Sequence, residues 1–143
     1  MTTIAYKDGV IAYDSRVTAG GQISSDRCNK RRRCGGVNFF ICGATCEAET
    51  FILAYFGDDA DRELQMEALV YDKEILYHVS IDDESVWKDV IDLTEPCAIG
   101  SGSPYAYTAM DLGLSAKQSV MMAKKRDSGT GGRIRTYQLK GKS

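Results

Sequence analysis

The segment Val37-Asn38-Phe39-Phe40-Ile41-Cys42 is apolar at nearly every position. A half-buried strand alternates apolar with polar residues, whereas a nearly unbroken apolar run describes a strand in a sheet covered on both faces. The rest of the chain has to supply those covers, and its punctuation shows how. Thr2 to Tyr6 and Val10 to Asp14 are β-prone runs around the hairpin signal Asp8-Gly9. Gly20-Gly21 breaks the chain, Gln22 to Asn29 reads as an edge strand or loop, and the basic run Lys30-Arg31-Arg32-Arg33 is closed by Gly35-Gly36.

Beyond Gly43, a helix is expected from Thr45 or Cys46 to about Gly57. Ala48, Phe51, Ile52, Tyr55 and Phe56 form its apolar face. Asp58 to Asp61 reads as a solvated turn. Gln65 to Tyr71 and Glu74 to Ile81 read as strands joined around Asp72-Lys73, and Val86, Val90, Ile91 and Leu93 suggest another short strand within Glu84 to Leu93. Cys97-Ala98-Ile99 leads to a helix that Pro104 starts and Ser103 caps, ending at Gly113. Ser115 caps a second helix carrying Ala116, Val120 and Ala123 inward. Asp127 to Gly132 is a bend, and Ile134 to Leu139 is a final strand. Strands, helix, strands, two helices and a strand describe a layered sandwich of helices and sheets.

At 143 residues the chain suffices for one domain, residues 1–143. Its net charge of −2 gives no overall field toward nucleic acid. No apolar run approaches the roughly 18 residues of a membrane span. The first residues turn polar and acidic too early for a signal peptide, so the cytoplasm is the expected compartment. The cysteines at 28, 34, 42, 46 and 97 miss the paired spacing of zinc sites and are expected as reduced, mostly buried thiols, with no metal and no cofactor.

Five segments in chain order resemble one family. Thr2-Thr3-Ile4-Ala5 with Asp8-Gly9-Val10-Ile11-Ala12-Tyr13-Asp14-Ser15-Arg16-Val17-Thr18 is similar to the nucleophile strand and hairpin of the β-type proteasome subunits and the HslV-type peptidases. Lys30 then falls, without a gap, on that family's catalytic lysine. Ile41-Cys42-Gly43-Ala44-Thr45 resembles its groove-lining turn, and Ala98-Ile99-Gly100-Ser101-Gly102-Ser103-Pro104-Tyr105-Ala106 its glycine-serine-glycine element. Arg126-Asp127 before Gly131-Gly132 resembles its last active-site loop, with Thr130 where a serine is usual. The resemblance is poor from Asp58 to Glu95, where the family has a second long helix. It implies an α+β fold, the four-layer αββα sandwich of the N-terminal-nucleophile hydrolases, with one helix of a layer missing.

The same resemblance implies a threonine-type endopeptidase or amidohydrolase. Thr2 is the nucleophile once Met1 is removed, because its free α-amine, with an ordinary pKa of about 7.7–8.0, then accepts the hydroxyl proton. Lys30 favours the ionised oxygen, Asp14 holds Lys30, and Ser101 and Asp127 orient the amine. The Gly43 N–H is the oxyanion donor, and Thr18 and Thr130 line the groove. Expected partners are a peptide or protein substrate, further copies of the chain and an unfoldase, with no nucleic acid and no membrane. The alternative is an inactive assembly protein of the same fold.

Read alone, the same residues are less telling. Asp14 and Asp127 resemble turn caps, and Lys30 opens a run that is ordinarily solvated. Gly100-Ser101-Gly102 lacks the glycine count and lysine of a nucleotide loop. Arg31, Arg32 and Arg33 have no interleaved aromatics and read as a solvated or subunit-facing patch. His78, the chain's one histidine, reads as structural.

Overall fold

The computed structural model describes residues 2–43, 48–57, 66–82 and 85–140. Strands β1 (Thr3–Lys7) and β2 (Val10–Tyr13) form the expected hairpin, Lys7 opposite Val10. Asp8 and Gly9 both take positive φ, 51° and 82°, the tight turn that follows the right-handed twist of paired strands. A small ribbon follows, β3 (Val17–Ala19) with β4 (Gln22–Ser25). The basic run is itself a strand: β5 (Arg31–Cys34) pairs antiparallel with β6 (Val37–Cys42), every residue of which is buried.

Helix α1 (Ala48–Tyr55) buries Ala48, Phe51, Ile52 and Ala54, and its expected start at Thr45 or Cys46 lies outside the described residues. Phe56 was expected on that buried face but is 50% exposed, because it stands in the turn after the helix has ended. The turn expected at Asp58 to Asp61 also lies outside the described residues. Strands β7 (Met66–Asp72), β8 (Ile75–Asp82) and β9 (Ser85–Val90) complete a sheet of order β5-β6-β7-β8-β9. β9 is exposed throughout, whereas Ile91 and Leu93 leave the strand to pack on the core.

Strand β10 (Cys97–Gly100) and strand β11 (Arg135–Gln138) flank the first hairpin in a second sheet, β10-β1-β2-β11, antiparallel throughout. Helices α2 (Ser103–Asp111) and α3 (Ala116–Arg126) lie between them in sequence. Three apolar clusters record the stacking. Phe39, Phe51, Val70 and Val79 join α1 to the five-stranded sheet; Ile4, Ile11, Phe40 and Leu69 join the two sheets; Ala5, Ala12, Ala106 and Val120 join the four-stranded sheet to α2 and α3. Each fully buried Phe, Leu or Ile contributes roughly 1.5–3 kcal/mol of transfer free energy. The order is helix, sheet, sheet, helices: the expected αββα sandwich. Among the described residues its first layer holds α1 alone, and residues 58–65 lie outside them.

Ser115 forms a reciprocal capping box with Gln118, as its sequence indicates. Ser103 does not cap α2; Gly102 occupies that position without a side-chain bond. A Cβ on residue 102 would stand 1.9 Å from Thr3 Oγ1, so no capping side chain fits there. The described thiols are less buried than expected: Cys42 is buried, Cys28 and Cys97 are half-buried and Cys34 is exposed, while Cys46 lies outside the described residues. Burial pushes the Cys42 thiol up to about 11, an inert state.

His78 has a partner that sequence reading did not identify. The β7–β8 register puts Glu67 opposite Ser80, diagonal to His78, and the imidazole Nε2 lies 2.9 Å from Glu67 Oε2. The bond to Glu67 raises the His78 pKa against the opposing effect of burial, and the same bond lowers that of Glu67. The His78 share of stability is therefore complete below the unfolded-state value of about 6.5 and is lost as pH rises through its higher folded value. Proton NMR of this single histidine should show a midpoint above about 6.5 that falls back toward it in Glu67→Gln. An unchanged midpoint would refute the pairing.

Candidate active site

Residue 2 enters β1 at the mouth between the two sheets, and only 2% of Thr2 is exposed. Asp14 follows β2 directly, its backbone N–H donating to the Thr3 carbonyl at 3.3 Å and its side chain fully buried. Lys30 sits one residue before β5, tied to the neighbouring strand because Ile41 N–H donates to its carbonyl at 3.2 Å. These backbone placements bring three polar side chains to one point. The Thr2 hydroxyl donates to Asp14 Oδ1, Lys30 Nζ donates to Thr2 Oγ1, and Lys30 Nζ forms an ion pair with Asp14 Oδ1 at 2.7 Å.

Asp14 is held from further directions. Thr3 N–H reaches Oδ1 at 3.2 Å, while Gly131 N–H and Arg16 N–H reach Oδ2 at 2.9 and 3.3 Å. A buried carboxylate is tolerable only with such a set of donors.

A second cluster adjoins the first. Asp127 Oδ2 accepts from Ser101 Oγ and from Thr130 Oγ1, both at 2.6 Å, and Oδ1 accepts from Gly129 N–H at 3.3 Å. Burial acts to raise the Asp127 pKa, but the bonds it accepts, from Ser101 and Thr130 foremost, combine with a nearby positive charge to hold the carboxyl below its ordinary value. Thr3 and Thr130 hydroxyls meet at 2.6 Å. Ser101 Oγ and Gly102 N–H both approach the Thr2 carbonyl at 3.4 Å. Gly100 has φ of +97°, and a Cβ there would lie 2.1 Å from the same carbonyl oxygen, so the chain passes only as glycine.

Gly43 ends β6 with φ of +144° and borders a small cavity of about 20 Å³ that Lys30, Ile41 and Ala48 also line. That puts Gly43 and Lys30 at one opening. Thr18 is half-buried in β3 opposite Ile23, and among the described residues the bonds that knit the site do not include it. Thr130 joins the site through Asp127 and Thr3.

Sequence reading missed three contributors. The backbone N–H of Gly131 and the side chain of Thr3 are two. The third is Arg16, whose Nε pairs with Asp26 at 2.8 Å and whose Nη1 donates to the Ser128 carbonyl at 3.1 Å, bracing the last loop. A Cβ on residue 131 would lie 2.3 Å from Arg16 Cζ, so a larger residue there would push the guanidinium off its place. The Gly131-Gly132 pair was the available signal.

No protein-family model matches the chain, and no curated protein sequence matches it. Solved structures do share its fold. BPH of Thiobacillus denitrificans superposes with a TM-score of 0.68 at 22% identity, over 98% of each chain. The same protein in complex with epoxomicin gives 0.68 over 96% of this chain and 98% of that one. Eukaryotic HslV from Trypanosoma brucei superposes at 0.70, with 19% identity, over 96% of this chain and 98% of its own. The likeness to HslV and proteasome-like peptidases is thus one of fold, over nearly the whole chain.

The Asp14–Lys30 pair makes a separable stability prediction. Asp14→Asn removes the carboxylate that faces the Lys30 ammonium in a buried site and should destabilise the protein by about 3–5 kcal/mol. In Asp14→Asn/Lys30→Met most of that loss should be regained, because both members of the buried pair are then neutral. Urea denaturation of the two variants measures both, and equal losses would contradict the pairing.

Proposed function

We propose that the protein is an N-terminal threonine hydrolase that cleaves amide bonds of peptides after removal of Met1. The observation that carries this reading is the meeting of the Thr2 hydroxyl, Asp14 and Lys30 in one buried cluster. A threonine hydroxyl held between a cation and a carboxylate is oriented, and the ammonium favours the oxygen that loses its proton. In the proposed reaction Thr2 Oγ1 attacks the substrate carbonyl carbon while the free Thr2 amine takes the hydroxyl proton. The Gly43 N–H stabilises the resulting oxyanion. Collapse expels the leaving amine, which receives that proton, and an ester to Thr2 remains. Water, deprotonated by the same amine, hydrolyses the ester and restores the hydroxyl. Ser101, through its bonds to Asp127 and to the Thr2 carbonyl, supports a role in setting the direction of the amine.

The complex of the Thiobacillus denitrificans protein with epoxomicin supports the choice of reagent class for a test. Self-association is part of the proposal, supported by an exposed strand β9 with Trp87 61% and Val90 69% open to solvent.

A second reading has its own observation. The sequence carries Met1 before Thr2, and while it remains the Thr2 nitrogen is an amide that cannot accept a proton. In that state the protein is an inert assembly protein of the same fold. Intact mass spectrometry with a peptide epoxyketone separates the two, on protein whose N-terminus has been sequenced. A free Thr2 should give one adduct per chain, lost in Thr2→Ala and slowed at least about 100-fold in Lys30→Ala. Fully Met-free protein that forms no adduct with epoxyketones or β-lactones would exclude the hydrolase reading.

A further inference from the structure

A groove of about 940 Å³ runs between α3, the start of β11 and the residues around the start of β5. Its size is that of small-molecule sites. None of Thr2, Asp14, Lys30, Ser101 and Asp127 lines it. Instead six cations do: Arg31, Lys117, Lys124, Lys125, Arg133 and Arg135, with no carboxylate among the described residues of the lining. In a chain of net charge −2 this is a strong local excess of one sign. Like charges gathered along one concavity repel, and the arrangement is relieved when a multivalent anion binds among them.

Two of the cations lie partly buried. Arg31 donates from Nε to Asn38 Oδ1 at 2.9 Å, and its guanidinium lies 4.7 Å from the centre of the Tyr137 ring. Arg135 stands opposite Tyr13 in the sheet, and its Nε is buried with no hydrogen-bond partner among the described residues. A buried guanidinium donor left unsatisfied is costly. At the rim, Lys117, Lys124 and Lys125 of α3 are exposed, with Lys124 Nζ donating to the Gly132 carbonyl at 3.1 Å. Planar guanidinium forks together with exposed ammonium groups match the several anionic oxygens of a phosphate chain.

We propose that this groove binds a compound carrying several phosphate groups, Arg31 and Arg135 holding it at the floor and the α3 lysines at the rim. The site adjoins the Thr2 cluster through the backbone. Tyr13, Arg31 and Gly132 line the groove, and their chain neighbours Asp14, Lys30 and Gly131 build the cluster.

Isothermal titration of the full chain with sodium tripolyphosphate tests the proposal, at low salt and again at about 0.15 M. The expected result is saturable one-to-one binding, weakened at least about tenfold in Arg135→Gln and in Lys117→Glu/Lys125→Glu. The second variant changes exposed residues only and keeps the test valid if the first fails to fold. Thr2→Ala should bind like the parent protein, so the outcome is independent of any hydrolase activity. ATP binding equal to tripolyphosphate assigns recognition to the phosphate chain, and tighter ATP binding assigns it to a nucleotide; both uphold the site. Absence of saturable binding, or affinity unchanged in the folded variants, overturns it. So does a single-stranded oligonucleotide that binds more than about tenfold tighter through the same residues, since the groove would then be a nucleic-acid surface.

Discussion

A charged pair buried between sheets is expensive to assemble, and the Asp14–Lys30 pair is made tenable only by what surrounds it. Asp14 Oδ1 takes donors from Lys30, Thr2 and Thr3, and Oδ2 takes them from Arg16 and Gly131. Those partners come from the first hairpin, from the segment before β5 and from the loop after α3. One carboxylate therefore fastens together three stretches of chain that the apolar clusters alone bring only into proximity. Hydrophobic burial is non-directional and fixes the layers; the hydrogen bonds to Asp14 fix where their ends meet.

The layers were legible because each rests on local pattern. Val37–Cys42 reads as a doubly covered strand and is one, and Ala116, Val120 and Ala123 face inward from α3 as their spacing requires. Thr2, Asp14, Lys30, Ser101 and Asp127 were found through register with a known family, since alone each has an ordinary reading. What escaped has a common physical origin. The Gly131 donor is a backbone N–H and leaves no side-chain signature. Glu67 meets His78 only through the register of two strands. Gly102, the cap of α2, is crowded by Thr3, about one hundred residues away in sequence, and no local propensity reports that contact. Arg31, Arg32 and Arg33 read as a solvated or subunit-facing patch because three arginines in a row mask strand character; they are mostly exposed and form the edge strand β5, where charged side chains are tolerated.

The same arginine run also shows how one segment serves two environments. Lys30 turns into the buried cluster while Arg31 lies against Tyr137 on the groove side. Alternation along an extended chain sends neighbours to opposite faces, so a lysine beside an arginine takes part in different chemistry without any change of fold.

The order of strands in the four-stranded sheet bears on synthesis of the protein. β1 and β2 are made first, yet their flanking partners are β10 and β11, and the Asp14 and Thr3 side chains find Gly131 and Thr130 near the opposite end of the chain. A chain leaving the ribosome from its N-terminus carries Thr2 through most of translation with neither flank of its hairpin paired. The bonds from Thr130 and Gly131 join the cluster only when this last part of the chain has been made. Asp14 is thus made long before its partner Gly131, an order of assembly written into connectivity.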